Sequence, residues 1–307
     1  MSRDGERLSA SVWAETGVKK GHWSLGAIYR EEQHLRFSKD TAELFYSIET
    51  NQDLNTGRHY EIDLNTYRFR GHGIRVARHM TPSKNVKLTL GTSLFQASNL
   101  LDGDLQGSAT ANSDDEYQYQ FGIDYHYNKD LIFERRGTSS PKGLGVALDM
   151  SLTWQPSERV KLSAEVTDLI GTIRWRDAPY TKANTNPRTS IIDETGLSQV
   201  NPVLSGIEGT DSSHTQALKP SADFSGLYKL RNTAYTASTK LKYTNDLTLF
   251  AVGGLKQISG STVGLHYWPQ VGVLEAHYQG KQLGISLGAD SLNLSKSHAI
   301  WLSLTYH

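Results

Sequence analysis

The chain of 307 residues carries 32 basic and 32 acidic side chains and no cysteine, which leaves no electrostatic footprint for nucleic acid and no thiol for disulfides, catalysis or metal ligation. No apolar run approaches the roughly 18 residues of a spanning helix, and the mean hydropathy is −0.49. A helical membrane protein is therefore excluded, whereas a strand barrel, which needs only alternate residues apolar, is not.

Taken in order, Leu8, Ala10, Val12 and Ala14 alternate with Ser9, Ser11 and Trp13. Beyond a turn at 17–21, Trp23, Leu25, Ala27 and Tyr29 hold one face of a second segment. Period two sends successive side chains to opposite sides of a strand, so the pair reads as a hairpin. Residues 41–49 repeat the pattern with Ala42, Leu44, Tyr46 and Ile48, and 59–65 repeat it again. Gly71, His72 and Gly73 predict a bulge or kink before a strand at 74–80. Pro82, Ser83 and Asn85 make a short turn, after which Val86, Leu88, Leu90, Thr92 and Leu94 restart the alternation. The polar stretch 97–115 reads as a long loop.

The longest unbroken alternation follows at 116–127. Glu116, Gln118, Gln120, Gly122, Asp124 and His126 occupy one face, and Tyr117, Tyr119, Phe121, Ile123, Tyr125 and Tyr127 the other. A helix would scatter these aromatics round its circumference. In a soluble sandwich the apolar face would meet a second sheet; in a barrel it would meet lipid. Repetition along the chain favours the barrel, with Tyr117, Phe121 and Tyr125 against lipid.

A short strand near 131–135 precedes Leu144, Val146, Leu148, Met150, Leu152 and Trp154, and Val160, Leu162, Ala164 and Val166 follow a second Pro-Ser turn. Residues 170–220 keep no sustained period and concentrate proline, so they read as a large surface or lumen-folded loop. The remainder is strand after strand, at 222–230, 235–243, 247–253, 262–268, 271–278, 283–289 and 298–306. The N-terminus, Met-Ser-Arg-Asp-Gly-Glu, has no apolar signal segment, and Met1 is read as standing where a targeting peptide was removed.

Short turns at one end, long polar loops at the other, and a last strand with Ile300, Leu302, Leu304 and Tyr306 on one face make the chain resemble Gram-negative outer-membrane β-barrel proteins. The resemblance is architectural and points to no specific family; it departs at the end, where His307 replaces the aromatic of the terminal insertion signal. It implies an all-β fold, a closed antiparallel transmembrane β-barrel of about 16 strands, between about 14 and 18, as a single domain over 1–307. It also implies the bacterial outer membrane as location. Membrane lipid and lipopolysaccharide would surround the barrel, with the barrel-insertion machinery and periplasmic secretion proteins as partners.

On this register Glu116, Asp124, His126, Asp149, Lys161, Glu165, Asp223, Lys229, Lys240, Lys242, Glu275 and His277 point inward. Charges of both signs in a lumen sort permeant solutes, so the expected function is a channel passing small hydrophilic solutes through a polar lumen. In a plugged interior the same groups would pair with one another. The alternatives are a barrel portal or scaffold of a secretion or polysaccharide-export assembly and an outer-membrane hydrolase. The chain has no His-x-Ser-Asn run, and no Asp-His dipeptide answers Asp114-Asp115, so no catalytic residue is assigned and an enzyme is not expected. The 11 histidines show no ligand spacing, so neither a metal nor another cofactor is expected. In the long loop, Arg174, Trp175, Arg176 and Tyr180 could bind a sugar ring or a partner protein, or could anchor the loop base at an interface.

Overall fold

The computed structural model describes residues 6–50, 55–113, 117–130, 135–186, 190–192, 198–200, 203–245, 247–293 and 296–306. Glu116, Asp114, Asp115 and the strand expected at 131–135, Arg135 apart, lie outside them. The elements in chain order are β1 (Glu6–Lys20), β2 (Trp23–Phe37), α1 (Lys39–Glu49), β3 (His59–Ser83), β4 (Val86–Ala111), β5 (Tyr117–Tyr127), β6 (Lys142–Trp154), β7 (Val160–Arg176), β8 (Ala178–Asn186), β9 (Ser190–Ile192) and β10 (Ser198–Val200). They continue with β11 (Val203–Asp211), β12 (His214–Ala217), β13 (Ser221–Lys229), β14 (Tyr235–Thr244), β15 (Leu247–Ile258), β16 (Ser261–Trp268), β17 (Val273–Gln279), β18 (Leu283–Ala289) and β19 (Ile300–Tyr306).

All strands but β9 and β10 belong to one 17-stranded sheet whose ladders are antiparallel. The ladders pass from β1 through β2, β3, β4, β6, β7, β13 and β14 to β19. At the end away from the short turns, β4 pairs with β5, β5 with β8 and β8 with β11, while β12 pairs with β7 above β13. Thus β5 continues into β6, β7 into β8, and β11 through β12 into β13, and the strands make thirteen long staves. No ladder joins β1 to β19 among the described residues, so the sheet is not closed in them.

Several segments differ from their sequence reading. Residues 41–49 belong to helix α1, because the Ser38 hydroxyl accepts the Thr41 N–H at 3.0 Å as an N-cap and Leu44 packs beneath Tyr60, Ala109 and Ala111. Much of the loop expected at 97–115 is instead the continuation of β4 to Ala111, with Asn99 (φ 60°) opposite a register shift at Arg68/Arg70. The stretch 170–220 holds the end of β7 together with β8, β11 and β12. β8, β11 and β12 carry few large apolar side chains on either face, which erases the period. Gly71 and Gly73 do not break β3; a Cβ at Gly71 would sit 2.6 Å from Cδ2 of Phe95, so glycine there makes room for the ring.

Alternation divides the staves into two faces. One is exposed and apolar, with Leu25, Val76, Leu94, Val146, Leu241, Val252, Leu265, Leu287 and Leu302 along its middle. Trp23, Trp154, Tyr228, Tyr235, Tyr278 and Tyr306 stand exposed on this face at the short-turn end, and Tyr29 and Tyr243 at the loop end. Just beyond Tyr29 the same face turns charged, where Glu31 pairs with Arg68 and Arg70. Tyr235 and Tyr243 are about 27 Å apart along β14, or about 20 Å of height at a tilt of about 40°.

Above that level part of the outer face is buried on β5. Ile123, Tyr125 and Tyr127 are buried with Ala183, and the Tyr125 hydroxyl donates to Asp130 in the β5–β6 connection. Of the β5 residues expected against lipid, Tyr125 is therefore buried and Phe121 half-buried, neither of them in the exposed apolar belt, and the Tyr117 side chain lies outside the described residues.

Candidate functional site

The opposite face carries the polar and charged side chains, and its contacts reach across several staves. In the first half of the sheet, Arg30 on β2 donates to Asp168 on β7 at 2.8 Å and also bonds Glu32. Its guanidinium lies 5.2 Å from the Trp13 ring, 5.0 Å from Phe69 and 5.2 Å from Phe95. Asp168 holds φ 55° at a bulge between β6 and β7, and its N–H donates to Asp149 at 3.0 Å. Asp149 in turn accepts from Arg75 Nε at 3.0 Å, and Arg75 reaches Glu15 at 3.4 Å. Around this network Tyr67, Ile173, Trp175 and Leu218 form a buried apolar layer.

In the second half, Lys240 on β14 donates to Glu275 on β17 at 2.6 Å, and Ser286 and Trp268 Nε1 donate to the same carboxylate at 2.5 and 2.8 Å. His266 bonds Ser238 at 2.8 Å. Glu165, Asp223 and Lys242 stand in one row across β7, β13 and β14, with Lys242 3.8 Å from Asp223. Lys161 and Lys229 lie exposed near the short-turn end of this face.

A third constellation sits at the loop end, above the apolar belt. His126 on β5 bonds Asp211 at the end of β11 at 2.8 Å, and His214 on β12 bonds Asp102 on β4 at 2.9 Å. The two imidazoles stack at 3.7 Å, with Tyr180 5.7 Å from His126. Burial pushes His126 below its ordinary pKa, opposed by its hydrogen bond to Asp211 and assisted by His214. Burial and then Asp124, Asp63 and Asp102 push the Asp104 carboxyl up, while the hydrogen bond to Asp124 holds Lys182 above its usual range. Asp124 is occupied by Lys182 at 2.8 Å. Histidine–aspartate pairs formed through space could not be seen as a dipeptide.

The cluster expected in the long loop is divided by strand alternation. Trp175 is 0% exposed, its Nε1 donating to Gln216 at 3.1 Å, so it is a core residue and not a binding platform. Arg174 and Arg176 are exposed on the opposite face, Arg174 donating to Ser213 at 3.1 Å, and Tyr180 belongs with His126. Arg30, Glu32 and Asp168, a buried charged group, escaped sequence reasoning, because the bulge that brings Asp168 to Arg30 has no signature in local pattern. No group of three or more metal-ligating side chains is arranged to hold an ion among the described residues.

Comparison with known proteins adds a family without a function. No curated protein matches the chain. Among solved structures, the ferric yersiniabactin uptake receptor FyuA of Yersinia pestis aligns at 11% identity over 98% of this chain and 40% of its own, with a TM-score of 0.33. The ferric-catecholate import receptor Fiu of E. coli K12, in an open form, aligns at 11% identity over 98% of this chain and 58% of its own, with a TM-score of 0.28. The chain thus spans 40% and 58% of the length of these receptors, and superpositions this loose carry no argument about its activity. The model of a family of unknown function, DUF5723, matches residues 3–293, and the protein therefore belongs to that family.

Proposed function

We propose that the protein is an outer-membrane β-barrel channel for small hydrophilic solutes, with the apolar face in the bilayer and the charged face lining the lumen. The observation that carries this reading is the exposed apolar belt bounded at both ends by aromatics, from Trp23, Tyr235 and Tyr306 to Tyr29 and Tyr243. Trp and Tyr collect where a membrane meets water, because their rings are apolar and their polar atoms need a partner. In water the same belt would be a large uncovered apolar surface. Thirteen staves enclose more than side chains alone fill, since about eight already suffice for a filled barrel. No enzymatic step is assigned to the histidine–aspartate pairs, which hold strands together.

The side of the lumen lined by Glu165, Asp223, Lys242 and Lys161 would set ion preference. In a planar bilayer the purified protein gives discrete conductance steps, and Lys161→Glu with Lys242→Glu shifts selectivity towards cations. Lys240 is left in place because it neutralises the buried Glu275. The packed layer around Arg30 and Trp175 favours a second reading, a sealed barrel acting as scaffold or portal of a secretion or polysaccharide-export assembly. A folded protein that stays silent in the bilayer would select it.

A further inference from the structure

The neutrality of the chain is the sum of two ends of opposite sign. The staves approach the short turns within 17–23, 78–89, 152–161, 227–237, 255–264 and 277–285, and those segments hold 11 Lys and Arg side chains against one acid, Glu158. With 32 of each sign in the whole chain, 21 basic and 31 acidic side chains are left for the remainder. The ion pairs of Lys and Arg among the described residues lie above this rim, as at Arg30 with Asp168, Arg75 with Asp149, Lys182 with Asp124 and Lys240 with Glu275. The rim offers its own cations no carboxylate but Glu158. Lys20, Arg78 and Lys256 project from the apolar face. The Arg78 guanidinium lies 5.6 Å from the Trp23 ring and the Lys256 ammonium 5.2 Å from the Tyr235 ring, two of the aromatics that bound the belt. Lys84, Arg159, Arg231 and Lys281 are exposed in the turns, and Lys19, Lys87, Lys161 and Lys229 project from the opposite face at the same end.

We infer that the short-turn rim binds the headgroups of anionic glycerophospholipids and gathers such lipids in the leaflet at that end. The inference rests on the membrane reading above. Every short hairpin from β1–β2 to β17–β18 contributes at least one of the cations, so positive charge runs the width of the sheet and does not gather into a patch. A docked protein would call for a patch, whereas the headgroups of a leaflet meet the rim along all of it. Lys and Arg stems lie along apolar surface while their charges reach outward, which at the level of Trp23 and Tyr235 puts Arg78 and Lys256 among headgroups. A lipid phosphate there takes the place of the missing carboxylates. At the loop end the outer cations Arg68 and Arg70 are already taken by Glu31. Short turns are periplasmic in bacterial barrels, so the leaflet concerned is the inner one.

The protein would be refolded into phosphatidylcholine vesicles holding a trace of spin-labelled phosphatidylglycerol or spin-labelled phosphatidylcholine, and the share of each label immobilised by the protein compared. Phosphatidylglycerol should be favoured about 5-fold at the turn end, or about 3-fold averaged over both leaflets, and high salt should collapse the preference. The set Lys84→Gln, Arg159→Gln, Arg231→Gln and Lys281→Gln should lower it. Adding Lys20→Gln, Arg78→Gln and Lys256→Gln should abolish it; the smaller set changes turns alone and serves if the larger does not fold. Lys142→Gln with Arg176→Gln removes exposed cations from the loop end of β6 and β7 and should leave the preference in place. Equal immobilisation of the two labels by the unaltered protein, or a preference that the loop-end pair lowers as much as the rim sets do, would overturn the inference. So would retention of polyglutamate by the rim without any lipid preference, which would assign it to an acidic protein. Lipid immobilised without preference leaves the membrane reading standing, whereas a protein that stays folded in buffer and immobilises no lipid overturns that reading and this inference with it.

Discussion

Replacing Val252 by Arg separates a bilayer from water as the medium of the apolar face. Val252 lies midway along β15, 52% exposed, with Thr239 and Tyr267 opposite it on the neighbouring staves. In water an exposed residue that makes so few contacts tolerates Arg within about 0.5 kcal/mol. In a bilayer Arg near the midplane of a barrel strand costs about 2 to 4 kcal/mol, falling to about 0 to 1 near an interface. Thr248 projects from the same face of β15 close to its loop end, so Thr248→Arg is the matched control. Urea-dependent folding into vesicles would measure both, and Val252→Arg should lose about 2 to 3 kcal/mol more than the control. Equal and small losses, or a Val252→Arg protein that folds in plain buffer, would refute the membrane assignment.

Arg30→Met leaves Asp168 and Glu32 buried without their cation and should cost about 3 to 5 kcal/mol in the same assay, part of it recovered when Asp168→Asn is added; a loss below 1 kcal/mol would mean that water reaches the pair. A Cβ at Gly145 would overlap the Phe95 ring, so Gly145→Ala should cost about 1 to 3 kcal/mol and be rescued by Phe95→Leu in a double-mutant cycle. His126 is held below its ordinary pKa, so the folded state binds fewer protons than the unfolded one. Its contribution is present at neutral pH and is lost as pH falls through about 6.5 towards the lower folded value. Hydrogen exchange at 211–217 should accelerate on acidification, and His126→Gln should flatten that response.

The faces of the staves were legible because period two survives wherever one side is apolar. Trp23, Leu25, Ala27 and Tyr29, or Ile300, Leu302, Leu304 and Tyr306, share a face in the structure as their spacing requires. The same rule misplaced β5, whose alternation is the cleanest in the chain. Alternation says that one face is dry but not what dries it, and there Ala183, Leu101 and Leu105 do so, with Asp130 on the Tyr125 hydroxyl. In 41–49 the apolar residues suit either period, and the deciding signal was the Ser38 cap, a single residue outside the pattern.

Charged residues were legible as a face and not as partners. Lys240 and Glu275 lie on staves separated by two others, as Arg30 and Asp168 are separated by three, and such contacts depend on how far the sheet curls. Arg7 on β1 even reaches the Asn245 carbonyl in the β14–β15 turn, at 3.4 Å. Curvature of that kind comes from twist, from bulges such as the one at Asp168, and from glycines that admit rings such as Phe95. Each is a property of pairs of strands, so no window on one strand contains it. The polar face therefore becomes specific only after the staves are set side by side, where the buried Arg30 has two carboxylates within reach and the exposed Lys161 shares no bond with that network.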